Sequence, residues 1–321
     1  MRIALIGDIH LFQTQVHPSR LFGKRLLGHT NLMLNRRFRF NHRVLEPLVG
    51  RVSALKPDAV LLSGDVTTTS LEDEFHDVAR YLEPLSREIP TVIVPGNHDK
   101  YTFRSARKQR MGTHMGGMLP EVFPHIQRLN DSWRLLGLDS AQPQLLWSRG
   151  ALGYEQMRDT EAFIKTLTKD DALVVLCHYP AKLPAGIPHS WGHALAEAKP
   201  LHDMLVASPA RVLFIHGHIH KTWQWDPANG NKTGNGDNSG LMYLNAGAPC
   251  LTSNKYPFGQ GFWEIDLPEE PRGPLELIHH VPEAVNTQTD DTLSTQANSG
   301  TSTQLETASQ LDLRWVIDRV L

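Results

Sequence analysis

The chain has 321 residues, 40% apolar and 21% charged, with a formal net charge of −2. A chain of this size and composition buries a substantial core, and its apolar runs fall short of the roughly 20 residues needed to cross a bilayer. Two cysteines, Cys177 and Cys250, form no CxxC pattern and imply no disulfide framework, so both read as small buried hydrophobes in a reducing compartment.

The first apolar run, Ile3–Ile6, reads as a buried strand and breaks at Gly7-Asp8-Ile9-His10. It is too short for a secretory leader, so a cytoplasmic location is expected. Residues 11–45 contain no acid but hold Arg20, Lys24, Arg25, Arg36, Arg37, Arg39 and Arg43; between 17 and 43 these alternate with bulky apolar residues, as a lipid-facing insert would. A helix over 41–55 leads to strand Ala59–Ser63 and the pair Gly64-Asp65. A second helix, 71–88, leads to strand Thr91–Pro95 and Gly96-Asn97-His98-Asp99.

A second acid-free stretch, 100–120, holds Lys100, Arg104, Arg107, Lys108 and Arg110, with Met111, Met115 and Met118 as an adaptable apolar lining. Both basic stretches follow a polar cluster directly, which suits an anionic substrate or surface. Helix 154–168 precedes strand Leu173–Cys177 and His178; helix 194–207 precedes strand Val212–His216 and Gly217-His218-Ile219-His220. Antiparallel strands are expected at Thr222–Trp225, Leu241–Asn245, Gly261–Leu267 and Leu275–Val281, the first two flanking an Asn- and Gly-rich tip at 226–240. Residues 1–282 thus form one layered α/β domain with mixed β-sheets flanked by helices. Residues 283–310, rich in Thr, Ser, Gln and Asn, read as a linker, and 311–321 as an amphipathic helix that docks on its own domain or meets a partner or membrane.

Five polar clusters therefore sit directly after five apolar strands, where ligands gather in open α/β sheets. They supply carboxylate, imidazole and carboxamide donors in the number that two adjacent metal ions require, which makes the chain readable as a hydrolase. No nucleophile elbow, Walker loop or dinucleotide fingerprint is present. His189 and His193, in Pro188-His-Ser-Trp-Gly-His193, are candidates for lining the site mouth. His216 reads as a strand-end residue, and His279 and His280 as edge-strand surface.

The order D-x-H, G-D, G-N-H-D, H, G-H-x-H resembles that of the calcineurin-like metallophosphoesterases. It spans residues 8 to 220, and the later strands extend the likeness to about 281. The resemblance implies the layered metallophosphoesterase-type sandwich and a two-metal site. Asp8, His10 and His220 would hold one ion, Asp65 would bridge, and Asn97, His178 and His218 would complete the other. The ions would be Mn, Fe or Zn, divalent or trivalent, and a hydroxide between them would attack phosphorus. His98 would touch the phosphate or protonate the leaving oxygen, with Asp99 orienting it.

Subfamily patterns narrow the substrate. Lys100 follows Asp99 where Ser/Thr protein phosphatases have Glu-Arg, Val66-Thr-Thr-Thr follows Gly64-Asp65, and no tyrosine follows that pair. What remains resembles the bacterial branch of cyclic-nucleotide phosphodiesterases, UDP-2,3-diacylglucosamine pyrophosphohydrolases and DNA-processing nucleases. The expected substrate is a phosphodiester or diphosphate of small or lipid-linked type, met by Arg36, Arg37, Lys100, Arg104, His189 and His193, with peripheral contact at the inner membrane face. Nucleic acid ranks lower because no second nucleic-acid module is visible. A non-catalytic scaffold or membrane-surface protein is the contrasting class, and the oligomeric state is open.

Overall fold

Apolar runs buried on both faces become the parallel strands of this protein, and amphipathic stretches become the crossovers between them. The computed structural model describes residues 1–13, 30, 39–144, 147–188, 190–228, 240–252, 259–284 and 313–320. Along the chain, β1 (Arg2–Ile6) is followed by α1 (Leu45–Leu55), β2 (Ala59–Leu62), α2 (Glu72–Glu88) and β3 (Thr91–Ile93). Two short helices, α3 (Phe103–Arg107) and α4 (Arg110–Met115), precede the hairpin β4 (His125–Arg128) and β5 (Trp133–Leu138). Next come α5 (Tyr154–Ile164), β6 (Ala172–Cys177), α6 (Ala198–Val206) and β7 (Arg211–His216). The strands β8 (Thr222–Trp225), β9 (Leu241–Ala246), β10 (Phe262–Asp266), β11 (Glu276–Ala284) and β12 (Leu313–Val320) complete the order.

Two six-stranded sheets result, in the orders β12-β11-β10-β1-β2-β3 and β4-β5-β6-β7-β9-β8. The period-2 alternation of side chains decides the layers. Ile3 and Leu5 of β1 join Leu61, Trp133, Val174, Leu176, Leu213, Ile215, Leu244 and Trp263 in a core between the sheets. Ala4 and Ile6 point the other way, to Leu48, Val52, Phe75, Val78 and Leu82 of α1 and α2. Leu173, Val175 and Cys177 of β6 likewise face Ile164, Leu201 and Leu205 of α5 and α6. The layers are therefore helix, sheet, sheet, helix, and each fully buried Leu or Val in them contributes about 1.5–3 kcal/mol.

Two expectations are corrected. The helix expected over 311–321 is replaced, over the described residues, by the edge strand β12 (Leu313–Val320), antiparallel to β11. The run Trp315-Val316-Ile317 is aromatic and β-branched, the residue types that fit a pleated surface, and Trp315 packs edge-on against Phe262 with ring centroids 5.4 Å apart. Because β12 covers β11, His279 and His280 are buried rather than exposed. His280 stacks on Phe262 and lies 2.7 Å from Glu264 Oε2, while His279 Nε2 bonds the Gln260 carbonyl at 2.9 Å. In addition, α3 and α4 occupy the basic stretch 100–120, and β4 and β5 were not foreseen. Most of the insert 17–43 and of linker 283–310 lies outside the described residues, as do Arg36, Arg37 and His189.

Candidate metal centre

The carboxyl ends of β1, β2, β3, β6 and β7 open onto one place, and the loops leaving them carry the polar clusters. Asp8, His10, Asp65 and His220 form one group whose candidate ligand atoms all lie within 4.8 Å of one another; Asp65, His178 and His218 form a second group by the same measure. Asp65 belongs to both. Within the first, His10 Nε2 is 2.8 Å from His220 Nε2 and 3.6 Å from Asp65 Oδ2, and His220 Nε2 is 3.3 Å from Asp8 Oδ2. Within the second, His178 Nε2 is 3.3 Å from Asp65 Oδ2, and Asn97 Oδ1 lies 3.1 Å from His178 Nε2 and 3.0 Å from His218 Nδ1.

The loops reach this geometry at a conformational cost. His10, Asp65, His218 and His220 all have positive φ, at 52°, 50°, 69° and 56°. A non-glycine residue held there costs on the order of 1–3 kcal/mol, and such strain concentrates at functional sites. Two glycines leave the room required. A Cβ on Gly217 would stand 2.1 Å from Asp8 Oδ1, and one on Gly96 would stand 2.2 Å from Asp65 Oδ1.

The surrounding hydrogen bonds fix which ring nitrogen faces inward. His178 Nδ1 donates to the Ser63 carbonyl at 2.9 Å and His218 Nε2 to the His193 carbonyl at 3.1 Å, so His178 Nε2 and His218 Nδ1 turn to the centre. This carbonyl-to-imidazole support is the usual partner of a metal-bound histidine. Asp8 accepts from Ser63 Oγ (3.2 Å) and the His218 amide (2.7 Å); Asp65 accepts from the His98 amide (2.7 Å). His98 Nδ1 donates to the Thr68 carbonyl at 2.6 Å, and its ring lies parallel to that of Tyr101, centroids 5.4 Å apart.

Asp8, His10, Asp65 and His178 are buried almost completely. Burial opposes ionisation of Asp65, yet His178, His98 and His10 outweigh it and hold the carboxyl well below the ordinary range. Burial also opposes charge on His178, but Asp65 and Asp8 prevail and push its pKa up to about 9. The negative field that draws a proton there draws a cation equally well. Buried carboxylates of this kind are stable only when paired or when they coordinate a metal. Imidazole, carboxylate and carboxamide donors without thiolate fit a pair of transition-metal ions.

Asp99 departs from its expected part. Its carboxylate accepts from the Gly96 amide (2.9 Å) and from the Thr67 amide and hydroxyl (3.0 and 3.1 Å), not from the His98 ring. It shapes the loop, and burial, followed by repulsion from Asp65, pushes its pKa up to about 7. Lys100 pairs with Asp139, Arg104 is exposed on α3, and His193 contributes its carbonyl to His218. Thr68, Tyr101, Ser63 and Phe40 were not anticipated; the Phe40 ring meets those of His10 and His220 at 5.1 and 5.9 Å. Thr68 acts through its carbonyl, which leaves no residue-type signature; the Ser63 hydroxyl beside Asp8 and the Tyr101 ring beside His98 do carry a residue type but belong to no ligand pattern.

Comparison with known proteins agrees with this geometry. The sequence model of the calcineurin-like phosphoesterases matches residues 1–222. A probable glycerophosphodiester phosphodiesterase, GpdQ, of Arcobacter nitrofigilis is 26% identical over 188 residues, 56% of this chain and 63% of that protein's own length. A dimetal phosphatase from Danio rerio superposes with a TM-score of 0.55 at 15% identity, covering 86% of this chain and 94% of the other. A purple acid phosphatase from yellow lupin (Lupinus luteus) gives 0.54 at 14% identity, covering 87% and 51%. At such identities the two structures establish the shared fold alone.

Proposed function

The chain belongs to the calcineurin-like phosphoesterase family, and we propose that it hydrolyses a phosphodiester or diphosphate bond in a small or lipid-linked anionic substrate. The observation that carries this is the sharing of Asp65 between two ligand groups. In this reading Asp8, His10 and His220 hold one ion, Asn97, His178 and His218 the other, and Asp65 serves both. The ions are Mn, Fe or Zn by donor softness; bound there, they supply Lewis acidity and lower the pKa of water. The Arcobacter relative, named as a diesterase, supports the choice of diester over monoester.

The remaining steps belong to the chain's own groups. His98 has Nδ1 committed to Thr68, so a proton passed to a leaving oxygen comes from Nε2. Tyr101 and the Thr68 carbonyl keep that ring in place. Arg104, with Arg36, Arg37, His189 and His193, attracts the substrate phosphate, while Lys100 is held by Asp139. No helix among the described residues is long and apolar enough to cross a membrane. With the terminal segment in a sheet, contact with a lipid-linked substrate at the inner membrane face falls to the insert.

The test is reconstitution of the purified protein with manganese, followed by elemental analysis and assays on bis-p-nitrophenyl phosphate, p-nitrophenyl phosphate, a UDP-diacylglucosamine and single-stranded DNA. Two metal equivalents and turnover of the diester or the diphosphate above the monoester are expected. A protein that takes up no metal, or that cleaves only the monoester, overturns the reading.

A further inference from the structure

We propose that the strap made by residues 147–150 and 190–196 is a stacking subsite for the planar heterocycle of a nucleoside phosphodiester, with Trp191 as its platform. The proposal rests on the phosphodiesterase reading above and names the substrate class that reading leaves open.

The strap is built rather than loose. Ser148 N–H donates to the Gly192 carbonyl (3.0 Å), Gly150 N–H to that of Ala194 (3.1 Å), and Ala196 N–H to that of Gly150 (2.9 Å). Ser148 Oγ and His193 Nδ1 are 2.9 Å apart, and the Tyr179 hydroxyl donates to the Ser148 carbonyl. The strap is also tied to the centre. The His193 carbonyl accepts from His218 Nε2 at 3.1 Å, and the Tyr179 ring, against which Gly150 is packed, sits 4.4 Å from that of His218. Trp191 is two residues from His193 in a 3-10 turn, which at about 2 Å of rise per residue places it within the reach of a nucleoside whose phosphate lies at the centre.

The strap displays the exposed tryptophans among the described residues. Trp133 and Trp263 are fully buried in the core, whereas Trp147 and Trp191 are 57% and 65% exposed. The Trp147 indole lies on the backbone of Gly192, where a Cβ would stand 2.7 Å from its Cε3. The Arg149 guanidinium lies over one face of the Trp191 ring, 4.3 Å from its centroid, and the ring, 65% exposed, offers its opposite face to a ligand. Two exposed indoles side by side next to the centre offer a ligand surface, unlike the isolated exposed rings of Phe103 and Tyr154. The arginine selects the ligand. An acyl chain laid over Trp191 would strip water from the guanidinium and return no hydrogen bond. A nucleobase stacks on the indole while its polar edge stays hydrated, and its π-face tolerates a neighbouring cation.

A matched pair of substrates tests this: thymidine 5′-(p-nitrophenyl phosphate) and methyl p-nitrophenyl phosphate release the same leaving group and differ in the nucleoside. The manganese-loaded wild type should favour the nucleoside ester in kcat/KM by about 10-fold or more, mainly through KM, the range expected for one stacked base. Trp191→Ala should remove most of that preference and Trp191→Phe should keep most of it. Calorimetric titration with thymidine 5′-monophosphate and methyl phosphate reads the same subsite without turnover, so a protein that cleaves neither ester still answers. Tighter binding of the nucleotide, lost in Trp191→Ala, supports the subsite. Equal affinities, a preference that survives Trp191→Ala, or a stronger preference for hexadecyl p-nitrophenyl phosphate would overturn it. Failure of the phosphodiesterase reading shows separately, as absent metal-dependent release of p-nitrophenolate from both esters.

Discussion

The two sheets meet at one site but bring different chemistry to it. The sheet containing β1, β2 and β3 supplies both carboxylates, Asp8 and Asp65, together with His10, Asn97 and His98. The sheet containing β6 and β7 supplies imidazoles alone: His178, His218 and His220. Neither sheet holds a complete group. The first group needs His220 from the opposite sheet, and the second needs Asp65 from the opposite sheet. Cross-sheet hydrogen bonds, from Nδ1 of His178 to the Ser63 carbonyl and from the His218 amide to Asp8, set the alignment. A cation pair held there therefore fastens one sheet to the other as well as serving catalysis. That is why the inter-sheet core matters to function.

The sharpest break of this comparison is at the shared residue. Asp65→Asn should remove both metal equivalents, measured by elemental analysis, and lower kcat by about 1,000-fold or more, because both charge neutralisation and water activation depend on the ions. Retention of two equivalents would mean that Asp65 is not the joint. One step down, His10→Ala and His178→Ala should each lose close to one equivalent, since each belongs to a single group. Chelation of the wild type should lower Tm, as removal of any ligand that binds only the folded state does. A chelator-insensitive Tm would deny the sheets their fastening.

His98 separates the metal-holding residues from those acting on substrate. His98→Ala should keep both metal equivalents and lower kcat by about 100-fold or more, the usual worth of general acid catalysis. The loss should be greater for an alkyl leaving group than for p-nitrophenolate, which needs no proton. Tyr101→Ala, which leaves the Thr68 bond but removes the stacked ring, should show the same leaving-group bias at about 10-fold, with Tyr101→Phe close to wild type. A uniform loss across leaving groups would reduce Tyr101 to a packing residue.

The contrast between the sheets also governs what the sequence disclosed. Strands β1, β2, β3, β6 and β7 are continuous apolar runs, each ended by a polar cluster, so their positions and those of Asp8, Asp65, Asn97, His178 and His218 could be read from residue type and order. The strained backbone of His10, Asp65, His218 and His220 could not, because a positive φ at a non-glycine residue is imposed by the assembled fold. Thr68 acts through its carbonyl, which every residue possesses. Asp99, expected to hold an imidazole, is captured by the amides of Gly96 and Thr67, which burial leaves in need of an acceptor. At the far edge, 311–321 satisfies both a helical and an alternating pattern, and only the neighbouring β11 decides between them.

That far edge gives the smallest expected effect on catalysis. β12 lies beyond β11 and β10, at the opposite side of its sheet from β3, whose loop carries Asn97 and His98. Trp315 packs on Phe262 and the helix-side core, so Trp315→Ala should cost about 2 kcal/mol of stability, read as a lower Tm, while kcat on a diester stays near wild type. Removing 311–321 should go further, because it bares the hydrogen-bonding edge of β11, and bare edges pair with other chains. Concentration-dependent light scattering should then rise with metal content unchanged. If truncation instead empties the metal centre, the terminal strand reaches the site through β10 and β1, and the sheet must be treated as one mechanical unit rather than a site edge and a structural edge.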